Sequence, residues 1–400
     1  MSQPPCILFT AFEPSGDEHA ASAIVELRKR LPDVPIHGFG GPRMAEAGAQ
    51  IIEQTSGMGL MLADSAGHVF DHFRRVSRLK RWADEHPVAV HVPTDSPAAN
   101  WSFCRMIKKK FAAPAPGRPA ARVVHLVAPQ VWAWAQWRVK RLQQWSDLVL
   151  CLLPFEPNWF AEHDVNARFI GHPSFDEPLD TDHLNWQAMN YPSGSPRIAL
   201  LPGSRKSEMK ANWPVLLDAF GRFSQRHPDA QAVVAAVDEA AAKSLRKRAG
   251  QVRANLRIVA GQTQSVIHWS QVVLTVSGTV SLQIARHGKP MAIVYRIQPL
   301  NWWLVGQWLV STRTFTLSNL ITLGRPEPTT AGHVVREFIP FWGPSTPIVD
   351  ELSRLVDDAD YRAAQQRALA GVVAQFEGHH AGREAATAIA EQYEQAMAAT

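Results

Sequence analysis

Short apolar runs of strand length alternate with amphipathic stretches along most of the chain. The runs are predicted to be β-strands, and the stretches between them place their apolar residues at helical spacing. The predicted strands begin at Ile7, Ile36, Val88, Val123 and Leu148, and again at Ile198, Ala232, Leu256, Val272 and Met291. Alternation of this kind produces parallel sheets covered by helices. The pattern therefore predicts an α/β fold with two doubly wound, Rossmann-like domains that face each other across a cleft.

One polar segment, from Asp176 to Pro196, interrupts this alternation. It is rich in turn-forming residues and has no strong period, which is typical of a domain boundary. A chain of 400 residues also exceeds the size of one ordinary hydrophobic core. We therefore expect an N-terminal domain over residues 1–180 and a C-terminal domain over residues 190–400, whose last helices are able to pack back on the first domain.

Two predicted strands end in small-residue turns that lead into helices. The first strand breaks at Pro202-Gly203 and is followed by Arg205, and the second ends at Ser277-Gly278-Thr279. Backbone N–H groups at such turns bind anions, and a guanidinium grips phosphate at two points. The alternative is a pair of ordinary tight connections with a solvated Arg205. Two turns of this kind in one half of the chain favour a nucleotide-type ligand with a pyrophosphate.

Composition and charge are those of a compact protein, with 46% hydrophobic and 19% charged residues and a net charge of +5. Lysine and arginine cluster locally, as at Lys108–Lys110 and Arg246–Arg248. Such clusters are either solvated helix faces or contacts to an anionic surface, and without a nucleic-acid motif we favour lipid over nucleic acid.

Cysteine usage and the absence of long apolar stretches indicate a cytoplasmic location. The three cysteines are isolated, which is typical of a reducing compartment, and the N-terminus lacks the basic leader of a signal peptide. No uninterrupted apolar stretch reaches the ~18 residues of a spanning helix. The segment from Pro299 to Val310 contains three tryptophans, and it either lies in a bilayer interface or fills a core.

A series of short motifs extends along almost the whole chain. They are Ser15-Gly16-Asp17, Gly41-Pro42-Arg43-Met44, Ala128-Pro129-Gln130-Val131-Trp132-Ala133-Trp134, Leu153-Pro154-Phe155-Glu156, Phe169-Ile170-Gly171-His172-Pro173, the Leu200 to Arg205 run, Ser277-Gly278-Thr279 and Tyr295-Arg296. In their order and spacing these motifs resemble those of the lipid-A-disaccharide synthase family, glycosyltransferases of the GT-B type.

The resemblance implies a reaction and its partners. The family joins UDP-2,3-diacylglucosamine to 2,3-diacylglucosamine 1-phosphate (lipid X), inverts the donor's anomeric centre and releases UDP. It implies an acceptor-binding N-terminal domain, a UDP-sugar-binding C-terminal domain, no metal or cofactor, and peripheral attachment to the inner face of the inner membrane. The basic helix from Val69 to Ala83 and the apolar Met58–Leu62 are then the expected membrane contacts. The expected donor-binding residues are Gly203, Ser204, Arg205, Glu208, Ser277, Gly278, Thr279 and Gln283.

The chain departs from the family at two chemically important positions. Ala98 stands where the family has its expected general base, and Gln283 stands where the family has an acid suited to ribose hydroxyls. A methyl group cannot accept a proton, so we expect Asp95 to substitute, with Asp17 and Ser15 as further catalytic candidates.

Other residues are expected near the cleft, although each has a purely structural alternative such as packing or helix capping. They are Glu13, Gly16, Trp132, Trp134, His172, Arg296 and Asn319. Three functions remain open at this point: an active inverting glycosyltransferase, a degenerate relative that binds a nucleotide sugar or lipid without catalysis, and a nucleotide-sugar epimerase of the same architecture. We favour the glycosyltransferase, because the donor-side residues are largely present.

Overall fold

The computed structural model describes residues 4–55, 67–249, 255–276, 278–297, 312–326 and 330–399. Ser277 and the segments Met58–Leu62 and Pro299–Val310 lie outside these residues. The chain divides into two compact units. The first comprises Met1–Glu177 together with Gly378–Thr400, and the second comprises Pro178–Glu377.

The first unit contains a seven-stranded sheet in the order β3-β2-β1-β4-β5-β6-β7, with parallel neighbours throughout. Its strands are β1 (Cys6–Ala11), β2 (Ile36–Gly40), β3 (Gln50–Gln54), β4 (Val88–Thr94), β5 (Arg122–Leu126), β6 (Leu148–Cys151) and β7 (Ala167–Phe169). Its described α-helices are α1 (Pro14–Arg30), α2 (Pro42–Glu46), α3 (Gly67–Glu85), α4 (Pro97–Phe111), α5 (Val139–Trp145), α6 (Glu156–Ala161) and, from the end of the chain, α15 (Ala381–Ala398). Short 3₁₀ turns lie at Gln136–Arg138 and Pro173–Phe175.

Helices cover both faces of this sheet, which explains why β1 and β4 are mostly apolar and are buried along their whole length. On one face α1 and α15 pack over Ile7 and Phe9, with Ile24 and Ile389 among their contacts. On the other face Leu8 packs with residues of α3 and α4, including Phe103 and Ile107.

The second unit contains a six-stranded parallel sheet in the order β10-β9-β8-β11-β12-β13. Its strands are β8 (Arg197–Leu201), β9 (Gln231–Ala236), β10 (Leu256–Ala260), β11 (Val272–Thr275), β12 (Met291–Val294) and β13 (Arg336–Phe338). Its described helices are α7 (Thr181–Ala188), α8 (Lys206–Arg226), α9 (Glu239–Ala249), α10 (Thr263–Trp269), α11 (Val280–Arg286), α12 (Leu317–Leu323), α13 (Thr346–Asp357) and α14 (Ala359–Ala374).

The predicted alternation of strands and helices is confirmed, with differences at the weakest elements. The sequence pattern missed β3, β7 and β13, because β3 is only half-buried and the other two have three residues each. It also missed α7, which lies inside the segment predicted to be turn-rich. That helix buries only Leu184, and Asp180 caps its N-terminus by accepting a hydrogen bond from the backbone N–H of His183 at 3.0 Å.

Each sheet reverses its strand order at one point, between β1 and β4 in the first unit and between β8 and β11 in the second. In open α/β sheets ligands bind outside the carboxyl ends of the strands at such a switch point. The turns after β1 and β4, and those after β8 and β11, are therefore where chemistry is expected. No described helix has the length and apolar character that crossing a membrane requires.

Candidate active site

The carboxyl ends of β1 and β4 bring Ser15 and Asp95 together in the first unit. Ser15 opens α1, and its hydroxyl donates a hydrogen bond to Oδ2 of Asp95 at 2.9 Å. Gly16 permits this approach, because a Cβ there would lie 3.1 Å from the carbonyl oxygen of Thr94 and 3.5 Å from Cβ of Asp95. Two of the predicted catalytic residues thus lie in contact at the switch point of the sheet.

Asp95 and Ser96 both adopt left-handed backbone conformations, with φ of 52° and 40°. This conformation is uncommon for residues with a side chain and costs on the order of 1–3 kcal/mol for each. The tight connection from β4 into α4 is held partly by Asp95 itself, whose Oδ1 accepts from the backbone N–H of Ser96 at 2.7 Å. Strain of this kind concentrates at functional sites, so the turn supports a chemical role for Asp95.

Ala98, where the family's base is expected, lies exposed in the first turn of α4. It is three residues beyond Asp95. Glu13, the other candidate substitute, is the half-buried residue that precedes α1, and its side chain makes no capping hydrogen bond.

Asp17 has a structural role that the sequence analysis did not identify. Its side chain is buried, and its carboxylate accepts hydrogen bonds from the backbone N–H groups of Gly41 (2.8 Å), Arg43 (3.1 Å) and Met44 (3.2 Å). These groups begin α2, so Asp17 satisfies the N-terminus of that helix. We therefore correct the expectation that Asp17 takes part in the chemistry, because its oxygens are already committed.

Two histidines of the first unit lie in the electrostatic environment of this site. His19 follows Ser15 by one helical turn; burial lowers its pKa, although nearby Asp95 acts in the opposite direction. His172 is buried, and its Nδ1 accepts from the backbone N–H of Ser174 at 3.1 Å. Burial, helped by His19, lowers its pKa to about 4. The sequence analysis did not include His19 among the site residues; its four-residue spacing from Ser15 was the available signal.

The two tryptophans of the Trp132–Trp134 motif differ in their environments. Trp132 is 1% exposed, and its indole N–H donates to Oε1 of Glu156 at 3.0 Å. Burial raises the pKa of that glutamate to about 7, although hydrogen bonds from Trp132 and from the backbone of Leu153 oppose the shift. Trp134 is 46% exposed, and the guanidinium of Arg138 lies 3.8 Å from the centre of its ring. Only Trp134 is therefore available to a ligand.

In the second unit the turns after β8 and β11 adjoin each other. The strands pair in parallel with Leu201 opposite Thr275, and Val276 N–H donates to the carbonyl oxygen of Leu201 at 3.2 Å. Gly203 has a φ of +97°, and a Cβ there would lie 3.1 Å from Cγ2 of Val276. Gly278 also has a positive φ, and both it and Thr279 are exposed. These adjoining turns and the start of α8 form one surface suited to an extended anion.

Arg205 stands at the start of α8 and is paired with Glu208. Its Nη1 lies 3.0 Å from Oε1 of Glu208, and the Arg205 side chain is 69% exposed. Glu208 also accepts from the backbone N–H of Arg205 at 3.4 Å. Ser204 is exposed beside them. The Arg205 end of this ion pair is in solvent, whereas the Glu208 side chain is only 14% exposed. Surface ion pairs contribute at most ~1 kcal/mol, so Arg205 can exchange the carboxylate for a pyrophosphate at little cost.

The end of β12 adds two residues to this surface. Burial and Glu208 raise the pKa of Tyr295, while Arg205 lowers it. The backbone N–H of Arg296 donates to Oδ1 of Asn212 on α8 at 2.7 Å, and the Arg296 side chain is exposed. Gln283 is half-buried on α11. Three neighbouring strand ends thus converge at the start of α8.

Asn319 is a further correction, because its amide is used inside the second unit. The residue is fully buried, its Nδ2 donates to Val335 O and to Oε1 of Glu337 at 2.8 Å each, and its Oδ1 accepts from the N–H groups of Val334 and Val335. The side chain therefore joins α12 to β13 and is not available to a ligand.

Known proteins resemble this chain over most of its length. A family model described as lipid-A-disaccharide synthetase matches residues 7–374. A lipid-A-disaccharide synthase from Anaeromyxobacter dehalogenans is 33% identical over 368 residues, covering 91% of each chain. One from Pseudomonas putida is 31% identical and covers 79% of this chain and 82% of that relative.

Solved structures of similar fold are far more distant in sequence. The glycotransferase of kitacinnamycin aligns with a TM-score of 0.59 at 15% identity, covering 98% of this chain and 99% of that one. A UDP-GlcNAc 2-epimerase from Neisseria meningitidis aligns with a TM-score of 0.60 at 12% identity, covering 98% and 100%. Identities this low support the GT-B fold alone. The family model and the relatives of about one-third identity show more: the chain belongs to the lipid-A-disaccharide synthetase family of glycosyltransferases.

Proposed function

We propose that this protein transfers the diacylglucosaminyl group of UDP-2,3-diacylglucosamine to lipid X, with inversion at the anomeric carbon and release of UDP. The observation that carries the proposal is the pair of sites at the two switch points. One presents the Asp95 carboxylate beside Ser15, and the other presents adjoining turns with Arg205. Family membership supports the acylated sugar substrates, which no contact in the structure identifies.

Asp95 is the proposed general base. An acceptor hydroxyl gives its proton to the carboxylate as its oxygen bonds to the donor's anomeric carbon, while the bond from that carbon to the UDP oxygen breaks. One displacement of this kind inverts the anomeric centre. The hydrogen bond from the Ser15 hydroxyl occupies one lone pair of Oδ2. It also fixes the orientation of the carboxylate before the acceptor binds.

Departing UDP is proposed to be received in the second unit. The pyrophosphate gains negative charge as the bond breaks, and the N-terminus of α8 with the adjoining turn amides offers preorganised positive ends of backbone dipoles. Arg205 exchanges Glu208 for the phosphate oxygens, and Glu208 keeps the guanidinium in place when no donor is bound. Ser204, Gly278, Thr279 and, on resemblance, Ser277 and Gln283 complete the proposed donor site.

The deciding experiment measures UDP release from UDP-2,3-diacylglucosamine with lipid X, and identifies the disaccharide by mass spectrometry. Asp95→Asn is expected to lower kcat by about 100-fold to 10,000-fold, the usual contribution of a positioned base. Asp164→Asn is the matched control, because Asp164 is an exposed aspartate of the same unit that also has a left-handed backbone, with φ of 52°.

The outcomes decide whether the protein is an active transferase and whether Asp95 is its base. Disaccharide from the unmodified protein, lost in Asp95→Asn and kept in Asp164→Asn, supports Asp95 as the base. Disaccharide that survives in Asp95→Asn rejects that assignment. No product from the unmodified protein, with product from Ala98→Asp, identifies a family scaffold that has lost its base.

We also propose peripheral contact with an anionic membrane at the inner face of the inner membrane, through α3. Lys80 and Arg81 are exposed on this helix while Leu79 is fully buried, and Glu53 pairs with Arg75 at 3.1 Å and with Arg78 at 2.7 Å. Exposed lysine and arginine near an anionic surface each contribute ~1 kcal/mol of attraction to anionic lipid. Co-sedimentation with phosphatidylglycerol vesicles should weaken in a Lys80→Glu/Arg81→Glu double variant, and unchanged binding would reject this helix as the contact.

A further inference from the structure

A buried polar chain lies directly beneath the left-handed turn at Asp95. Its members are Asn100 on α4, Thr10 on β1 and His91 on β4, and each is 0% exposed. Thr10 Oγ1 lies 2.6 Å from Oδ1 of Asn100 and 3.0 Å from Nε2 of His91. Such groups are costly to bury without hydrogen bonds, so the directions of the bonds they make carry information. Nδ1 of His91 is buried and has no hydrogen-bond partner among the described residues.

The orientation of the Asn100 amide is fixed by two backbone carbonyls. Its Nδ2 lies 2.9 Å from the carbonyl oxygen of Asp95 and 3.4 Å from that of Thr94. Carbonyl oxygens can only accept, so the –NH₂ group must face them, and Oδ1 must face Thr10.

The remaining directions follow from this orientation. Because Oδ1 of Asn100 can only accept, the hydroxyl proton of Thr10 is donated to it. The Thr10 oxygen is then an acceptor toward His91, so Nε2 of His91 carries the proton and Nδ1 does not. The chain runs in one direction: His91 to Thr10, Thr10 to Asn100, and Asn100 to the carbonyl of Asp95.

We propose that Asn100, Thr10 and His91 are positioning residues for the reaction, holding the backbone of Asp95 in the left-handed conformation that places its carboxylate against Ser15. This inference rests on the proposed role of Asp95 as the base. Both backbone polar groups of Asp95 are hydrogen-bonded: its carbonyl oxygen accepts from Asn100, and its N–H donates to the carbonyl oxygen of Leu126 on β5 at 3.0 Å.

Because His91 stays neutral near pH 7, the hydrogen bonds among His91, Thr10 and Asn100 keep one set of directions. Burial lowers the pKa of His91 to about 3, and the neighbouring His125 on β5 acts in the same direction. A neutral imidazole has one donor nitrogen, and the preceding argument assigns it to Nε2.

The kinetic test compares Thr10→Val with Thr10→Ser. Valine keeps the shape of the side chain but removes both hydrogen bonds of the hydroxyl, whereas serine retains them. We expect Thr10→Val to lower kcat by about 10-fold to 100-fold while KM for the UDP-sugar stays within about twofold, since misplacement of a reacting group by ~1 Å costs this much. Thr10→Ser is expected to recover kcat to within about threefold of the unmodified protein.

Thr314→Val in the second unit is the matched control for loss of a threonine–histidine hydrogen bond. Thr314 is fully buried, and its Oγ1 lies 2.9 Å from Nε2 of His333. The Thr314→Val variant should have a lower melting temperature and an unchanged kcat. Equal kcat in folded Thr10→Val and the unmodified protein would overturn the proposal, as would a kcat loss that Thr10→Ser fails to recover.

The histidine tautomer gives a readout that does not depend on activity. ¹⁵N chemical shifts of His91, assigned by comparison with a His91→Gln variant, should show a protonated Nε2 and an unprotonated Nδ1 that do not titrate between about pH 5 and pH 8. An Nδ1–H tautomer would overturn the directed chain. If the tautomer is as expected but Asp95→Asn remains active, the proposed base fails while the directed chain stands.

Discussion

At the scale of single residues, Gly203 controls how closely the donor-side turns approach each other. Its φ is +97°, and a Cβ there would meet Oε2 of Glu208 at 2.9 Å as well as Val276. Glu208 in turn holds Arg205. A side chain at position 203 would therefore both strain the backbone and displace the ion pair.

Gly203→Ala is expected to destabilise the protein by about 2 kcal/mol, through the left-handed backbone and the crowding of Glu208. We also expect UDP to bind about 10-fold more weakly, because the turn amides and Arg205 shift together. Urea unfolding and calorimetric titration with UDP measure the two effects.

Gly371→Ala is the control for the same chemical change in the same unit. Gly371 is exposed in α14, and a Cβ there would meet no atom within 4 Å. Alanine in an open helical position should stabilise by up to ~1 kcal/mol. Equal unfolding free energies for the two variants would contradict the account of Gly203.

The sequence identified residue types and spacings, but not which polar side chains are already hydrogen-bonded to the protein's own backbone. Ser15, Asp95 and Arg205 were predicted, and the structure places them at the switch points. Asp17 and Asn319 were predicted as well, but their oxygens and amide satisfy backbone groups of elements distant in sequence. Whether a carboxylate is available depends on those tertiary hydrogen bonds, which no local pattern encodes.

At the scale of elements, α1 and α15 of the first unit approach closely at Gly382. A Cβ on Gly382 would lie 2.3 Å from Oγ of Ser22 and 3.2 Å from its carbonyl oxygen. The buried face of α15 is built largely from alanine, which lets the helices pack with little separation.

Gly382→Ala should cost about 1–2 kcal/mol through overpacking, although alanine is the better helix former. Ser22→Ala removes the nearer clashing atom, so the double variant should recover about 1 kcal/mol of that loss. A double-mutant cycle from denaturant unfolding measures the coupling. Additive effects of the two changes would show that the helices do not meet as described.

Elements could be predicted where the hydrophobic pattern is long and continuous. β1 and β4 are buried along their whole length, and their predicted starts at Ile7 and Val88 lie within one residue of the observed ones. β7 and β13 were missed, because three residues paired at a sheet edge carry no period. Their existence depends on neighbouring strands rather than on their own sequence.

At the scale of the whole molecule, buried histidines predict sensitivity to acid in the first unit. Burial lowers the pKa of His91 to about 3 and those of His125 and His172 to about 4, below the ordinary 6.5. A folded-state pKa below the unfolded value means that the unfolded chain binds protons first as pH falls. The stability these groups contribute is therefore complete above about pH 6.5, and it is lost as the pH falls toward 4 for His125 and His172 and toward 3 for His91.

For each of these histidines, acidification from pH 6.5 to pH 5 should lower the free energy of unfolding by about 2 kcal/mol. Glu156 has the opposite sign: its pKa of about 7 lies above the ordinary 4.5, so its contribution is present at low pH and lost as pH rises between the two values. It offsets roughly one histidine. In the second unit, His287 is the described histidine whose pKa falls to about 4.

Hydrogen-exchange mass spectrometry at pH 7 and pH 5 can follow the two units separately, after correction for the intrinsic exchange rate. Peptides from β4 and β5 should lose more protection on acidification than peptides from β8 and β9. Equal losses in both units would contradict the assignment of acid sensitivity to the buried histidines of the first.

The first unit is discontinuous in the chain, and this affects how it can form during translation. Helix α15 supplies Ala385, Ala386 and Ile389 to the core over β1 and β4, yet it follows the whole second unit in sequence. At 5–20 residues per second, a ribosome takes roughly 10–40 s to make the intervening 200 or so residues. During that interval one face of the first sheet lacks its last covering helix, while the continuous second unit can already close. The first unit is thus started before the second unit but completed after it. We expect chaperones to bind the apolar sheet face that α15 later covers.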